Sequence, residues 1–209
     1  MSRPLVICDC DEVLLHMIAH FRDFLAEEHG VEFRWEGGDF TNAMRYQANG
    51  EALETDEMWK LLNLFFDTEM HRQTEIPGAV PAVAELAEHA DVVVLTNLMD
   101  HRLERRAAQL ADHGIHARVF TNQGPKGPAL KAIIEEYAPS RAAFIDDIAK
   151  HHQSVAETAG HVTRLHFCGE PLVAPHIECA HAAGHAHARI DNWAEALPWL
   201  LERLYQEDR

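Results

Sequence analysis

Short apolar runs recur along the chain at residues 5–9, 91–96, 117–121, 142–146 and 162–167, each apolar on both alternations of a two-residue period. A strand with one wet face alternates, whereas a strand covered on both faces does not, so these runs predict strands buried between two layers. Helical spacing fills the intervals at 80–90, 99–113, 126–137, 149–159 and 193–205. Stop signals support three of these helices: Gly114 after the second, Pro139 after the third and Gly160 after the fourth. Strands alternating with helices predict an α/β fold, a doubly wound and mostly parallel Rossmann-like sheet with helices on both faces.

Residues 14–75 break this rhythm. They carry an amphipathic pattern at 14–29, an aromatic stretch at 33–46 and a second helical pattern at 56–72, with no strand of the core type. The pattern predicts a small α-helical cap at 14–75, inserted into a core domain made of 1–13 and 76–209. No internal repeat is visible. The one biased segment, 175–188, is rich in Ala and His and reads as loop plus a short helix.

Charge and composition narrow the partners. The 209 residues carry a formal charge of −16, which argues against a nucleic-acid partner, whose phosphates need cationic neutralisation. No apolar run approaches the roughly 18 residues of a membrane span, and the first residues lead into a strand with no signal-peptide layout, so the expectation is a cytoplasmic protein without a membrane partner. Cys8, Cys10, Cys168 and Cys179 lack zinc-like spacing and read as free thiols. Oligomeric state is open between monomer and homodimer.

The chemistry gathers at strand ends. In an open parallel sheet, ligands bind beyond the carboxyl ends of the strands. Those ends carry Asp9 and Asp11, then Thr96-Asn97, then Asp146-Asp147, with Lys126 at the start of the helix after the third run. Four clustered acids make a hard, oxygen-rich site suited to Mg²⁺, which would neutralise the carboxylates and recruit a phosphate.

In the order Asp9-Cys10-Asp11-Glu12-Val13, Val93-Val94-Leu95-Thr96-Asn97, Lys126 and Phe144-Ile145-Asp146-Asp147, the chain resembles the haloacid dehalogenase superfamily, in its phosphatase branch. The resemblance implies that Asp9 is a nucleophile forming an aspartyl-phosphate and Asp11 a general acid and base. It implies that Thr96, Asn97 and Lys126 hold the phosphoryl group. Magnesium would be bound by Asp9, the Asp11 carbonyl and Asp146, with Asp147 acting through water or by orienting its neighbours. It further implies that 14–75 is a helical (C1-type) cap lying between the first and second motifs. Two departures stand out: Glu12 occupies the family's usual glycine position, and Lys126 precedes Gly127-Pro128 rather than a proline, leaving Lys131 as a weaker candidate.

The expected activity is a Mg²⁺-dependent phosphomonoester hydrolase acting on a small phosphorylated metabolite. Its rivals are a phosphomutase and a catalytically silent binding protein of the same fold. Nucleoside monophosphates, sugar phosphates and phosphoglycolate-like acids all remain open. Other polar residues have plainer readings. Arg102, Arg105 and Arg106 read as a solvated helix face; His151-His152, just past the fourth motif, could touch the site, but the wet side of the next helix is the plainer reading. His181 and His185 have i,i+4 spacing, and with His176 and His187 they are weighed as a transition-metal site against an exposed loop. In the cap, His16, His20, Trp35, Phe40, Arg45 and Tyr46 are possible substrate contacts.

Overall fold

The computed structural model describes residues 2–36 and 40–205; Met1, residues 37–39 of the expected cap and residues 206–209 of the expected core lie outside them. The central strands are β1 (Leu5–Cys8), β4 (Asp91–Thr96), β5 (Arg118–Thr121), β6 (Ala142–Asp146), β7 (Thr163–His166) and β8 (Ala188–Arg189). They form one sheet in the order β5-β4-β1-β6-β7-β8, and each neighbouring pair is parallel. The chain winds outward from β1 in one direction to β5 and then in the other to β8. The reversal opens a crevice at the carboxyl ends of β1, β4 and β6.

The two-sided burial of the strands is visible residue by residue. Val6 and Cys8 of β1 face one way, onto α3 (Ala79–His89), α4 (Leu103–Asp112) and α7 (Trp193–Tyr205), through Leu86, Leu110, Trp193 and Leu200. Leu5 and Ile7 face the other way, onto α5 (Gly127–Tyr137) and α6 (Ala149–Thr158), through Leu130, Ile133 and Val155. Helices α5 and α6 approach closely at Gly127, where any Cβ would collide with Ser154 and Thr158. A side chain there would push α5, and Lys126 with it, away from the sheet.

The insertion contains α1 (Ile18–Glu28), β2 (Val31–Phe33), β3 (Met44–Tyr46) and α2 (Thr55–Thr68). Phe21, Phe24, Leu25, Met58, Phe65 and Phe66 build its own apolar cluster, which also takes in Leu98, Cys168 and Val173 from the rest of the chain. Beside the expected helices this region holds a short separate pair of strands, β2 and β3, which run antiparallel with Val31 opposite Tyr46 and Phe33 opposite Met44. Three-residue strands are too short to show a period, which hid them.

Residues 175–188 also depart from expectation: they form turns and then enter β8, with no helix. The i,i+4 spacing of His181 and His185 therefore does not place them on one helical face. His181 Nδ1 lies 3.1 Å from the Ala186 carbonyl oxygen, and His187 Nδ1 accepts the Arg164 amide at 2.9 Å. Among the described residues, none of the four histidines joins a group of metal-ligating side chains. All four cysteines are free thiols, and among the described residues no helix is long and apolar enough to cross a membrane.

Trp193 ties the last helix to the loop after β1: it is 1% exposed, and its indole Nε1 donates to the Val13 carbonyl at 2.9 Å. Trp193→Phe strands that carbonyl and is expected to lower stability by about 1–3 kcal/mol, and Trp193→Ala by about 3–5 kcal/mol. Urea unfolding measures both. Equal losses for the two variants would mean that packing contributes nothing here.

Candidate active site

Parallel register brings the chemical groups to one edge. Asp9 follows β1 directly and its amide donates to the Ile145 carbonyl at 2.8 Å, so it stands beside the end of β6, where Asp146 is the last residue. Thr96 ends β4 on the other side of β1. Lys126 arrives from the start of α5, fully buried, with Nζ 2.7 Å from Asp9 Oδ2 and 2.7 Å from Asp146 Oδ2. The remaining oxygens are also held: Asp9 Oδ1 accepts the Cys10 amide at 2.7 Å, and Asp146 Oδ1 accepts the Ile148 amide at 2.8 Å.

Asp9, Asp146 and Asp147 offer carboxylate oxygens within 4.8 Å of one another, all buried. Burial favours neutral carboxyls, and three acids against one ammonium leave a surplus of negative charge. Asp9 is accordingly pushed by burial, and further by Asp146, from 3.8 to about 7, against the pull of Lys126. Asp147 is raised well above the usual range by burial and by Asp146 and Asp9. Burial is the largest influence on Asp146 and works the same way, but Lys126, His151 and His152 together overcome it and hold that carboxyl low. Lys126 is raised despite burial because two carboxylates face it. A hard divalent cation fits this donor set: it prefers oxygen ligands and would remove the surplus charge.

Thr96 is fully buried and its hydroxyl has no hydrogen-bond partner, which leaves it available to an oxygen of a ligand. Asn97 stands at the exposed rim, with Nδ2 donating to the Gly124 carbonyl at 3.0 Å. Lys131 is exposed on α5, so Lys126 is the lysine at the acids.

Asp11 is turned to a different partner. Arg106 Nη2 donates to both its oxygens, at 3.0 and 3.1 Å, and Gln73 Nε2 donates to Oδ1 at 2.7 Å. Arg106 is fully buried, and its Nη1 also reaches Gln73, Gln109 and the Cys10 sulfur. The expected solvated face of α4 is thus corrected. Arg102 is 3% exposed and binds Asp67 and Asn63 of α2 at 2.7 and 2.9 Å, and Arg105, though exposed, donates to the Asp67 carbonyl at 2.6 Å. These cations satisfy the insertion rather than solvent.

His151 and His152, expected on a wet face, are buried too. His152 Nε2 lies 2.9 Å from the Asp146 carbonyl oxygen, and His151 Nε2 lies 3.4 Å from Asn97 Nδ2. Burial lowers both imidazoles, His152 to about 4. The sequence signal was available at α4, where Arg102, Arg106, Gln109 and Leu110 share one face at four- and three-residue spacing.

Glu12 has φ +60°, the left-handed conformation that glycine adopts freely. Its Oε1 accepts the amides of Met17 and Ile18, at 3.1 and 2.6 Å, and so caps α1 from upstream. Two backbone hydrogen bonds offset a backbone strain of order 1 kcal/mol, so a glutamate is accommodated in this left-handed conformation. Its other oxygen is buried and unpartnered, and burial raises this carboxyl well above its usual range. Nearby, His16 Nδ1 lies 2.7 Å from Glu170 Oε2, joining the insertion to the loop after β7. Of the other candidates in 14–75, Trp35 and Phe40 face the acids across a cavity, while Arg45 and Tyr46 are exposed and are not among its lining residues.

Two outcomes follow. Arg106→Met strips Asp11 of its cation and is expected to cost about 3–5 kcal/mol, read by urea unfolding; a loss under about 1 kcal/mol would show that the pair is dispensable. Asp9, Asp147 and Glu12 all hold protons more tightly when folded, so their stabilising contribution is complete below the unfolded carboxylate range. It is lost as pH rises, for Asp9 through about 7. Without divalent cation, the melting temperature should therefore fall between about pH 5 and pH 8, and Mg²⁺ should raise it more at the higher pH. Thermal melts with Mg²⁺ or with chelator check this, and an equal Mg²⁺ effect at both pH values would contradict it.

No family model and no curated protein sequence matches the chain. Solved structures do. A haloacid dehalogenase-like family hydrolase from Streptococcus pneumoniae aligns with TM-score 0.67 at 12% identity, over 96% of this chain and 98% of that one. A HAD family hydrolase from Deinococcus radiodurans, with bound phosphate and sodium, aligns with TM-score 0.64 at 20% identity, over 96% and 95%. A conserved haloacid dehalogenase-like protein of unknown function from Agrobacterium tumefaciens aligns with TM-score 0.64 at 18% identity, over 97% and 99%. At such identities the likeness establishes the architecture: the chain has the fold of the haloacid dehalogenase-like hydrolases.

Proposed function

We propose that the protein is a phosphomonoester hydrolase that works through an aspartyl-phosphate on Asp9 and requires Mg²⁺. The observation that carries this reading is the buried group of Asp9, Asp146 and Asp147, oxygens within 4.8 Å, with Lys126 bridging the first two. The phosphate bound in the Deinococcus radiodurans structure supports a phosphoryl ligand for this fold. Asp9, Asp146 and Asp147, with the Asp11 carbonyl, would hold the cation. When bound, it supplies positive charge that draws a phosphoryl oxygen in and offsets the charge developing on it.

The chain's own residues divide the remaining work. An Asp9 carboxylate oxygen attacks phosphorus while the ester P–O bond breaks, and Lys126 offsets charge on nucleophile and phosphoryl group. The Thr96 hydroxyl donates to an equatorial oxygen. Protonated Asp11 gives its proton to the departing alcohol oxygen. As a carboxylate, it then takes a proton from water, whose oxygen attacks the aspartyl-phosphate and frees phosphate and Asp9. An acid two residues beyond the nucleophile favours this water step over the ester chemistry of a dehalogenase. Arg106 and Gln73 fix where Asp11 stands, and the insertion, acting as a lid, excludes bulk water from the first half-reaction.

Phosphate release from a panel of phosphomonoesters, with Mg²⁺ or with chelator, tests the reading. Asp9→Asn is expected to lower turnover by about a thousandfold or more and to abolish covalent labelling by a radiolabelled phosphoester. Undiminished turnover in that variant would defeat the covalent route.

A further inference from the structure

A cavity of about 320 Å³ opens directly over the acids, between the sheet edge and the insertion. Asp9, Asp11 and Asp147 form its floor, so a phosphate ester aligned for attack by Asp9 would project its leaving oxygen into this space. Glu12, Asn97 and His151 add polar groups close to these acids, and the rest of the wall is of another kind. Met17 and Ile18 come from the start of α1, and Leu62 and Phe66 from α2. Trp35 and Phe40 pack edge to face with centroids 5.6 Å apart, and Ile177 closes the side formed by the loop after β7. Among the described residues, no lysine or arginine lines the cavity, and the undescribed residues 37–39 are Gly-Gly-Asp. Lys150 lines a more open outer groove beside Trp35 and Phe40, not this chamber.

We infer, resting on the phosphatase reading, that the alcohol portion of the substrate is apolar and carries no anionic group: an aromatic or branched aliphatic alkyl phosphate. The physics is one of mismatch. A sugar hydroxyl pressed against Met17, Leu62 or Phe66 loses its water and gains no partner, which weakens binding roughly tenfold or more for each such group. A carboxylate or second phosphate would enter a chamber whose charged side chains are acids, with no wall cation to hold it. A phenyl or isobutyl group meets none of these penalties and gains the contact of nearly every wall residue.

Leaving-group reactivity must be held constant in the test, so all probes are phosphates of primary alcohols. Phenethyl phosphate and 3-methylbutyl phosphate are compared with glucose 6-phosphate and phosphoglycolate on the unmodified chain with Mg²⁺. The expected result is a kcat/KM at least about a hundredfold higher for the two apolar esters, with most of the difference in KM. Sugar phosphate or phosphoglycolate hydrolysed as well or better overturns this inference and leaves the phosphatase reading intact. Hydrolysis of none of the four defeats that reading, and this inference with it. In Leu62→Lys the preference should move at least about tenfold toward phosphoglycolate. An unchanged preference in the folded variant removes the cavity as the leaving-group chamber, and the panel on the unmodified chain decides whether or not the variant folds.

Discussion

A single buried ammonium holds the site together. Lys126 reaches from the start of α5 to carboxylates at the ends of β1 and β6, 2.7 Å to each. Removing three such groups from water is costly, and the arrangement persists only because each oxygen has a partner: Lys126, the Cys10 amide or the Ile148 amide. Gly127 is part of the same device, since its missing side chain lets α5 press on α6 and carries the lysine down to the acids. Folding of the core and assembly of the charge group are therefore one event. The group is also incomplete by design, because Asp147 adds a third acid with no second ammonium, and a cation is the physical complement.

The core was legible because burial on both faces writes itself into sequence as unbroken apolar runs. β4 and β6 begin and end where those runs do, and the polar residues that stop them are the ones that meet at the crevice. What stayed hidden depended on long-range partners. Arg106 sits 95 positions from Asp11; the spacing it shares with Gln109 and Leu110 marks a helix face but not the buried acid that the face meets. Gln73 has the same history, reaching Asp11 from 62 residues away. His151 and His152 read as wet because helix α6 is polar overall, yet the site needs polar side chains on its buried face. The hairpin of β2 and β3 and the turns at 175–188 were lost to shortness and to biased composition.

Glu12 shows how a departure from a motif can be physically coherent. The backbone at Glu12 takes the left-handed conformation that a glycine there would adopt freely, with φ at +60°. In exchange for the strain, its carboxylate closes the amino end of α1, so the loop bearing Asp9 and Asp11 and the first helix of the insertion share one side chain. His16 and Glu170 add a second tie between insertion and core, and Arg102 a third through Asp67. The insertion is thus connected to the core by polar links at its edges, while its interior is apolar.

That contrast bears on selectivity. A polar floor must bind phosphate in nearly every enzyme that uses such chemistry, so it discriminates little among esters. Discrimination falls to the walls, and here the apolar walls come from separate stretches: the start of α1, the segment holding Trp35 and Phe40, α2 and the loop after β7. The Ala- and His-rich segment, weighed from sequence as a metal site or an exposed loop, contributes Ile177 to that lining and stacks His176 on Trp35 at 6.1 Å. An apolar enclosure over a charged floor also strengthens the electrostatics beneath it, because water displaced from the chamber no longer screens Lys126 from the charge it must offset. In the proposed phosphatase, binding the alcohol portion and activating the phosphoryl group become parts of the same desolvation.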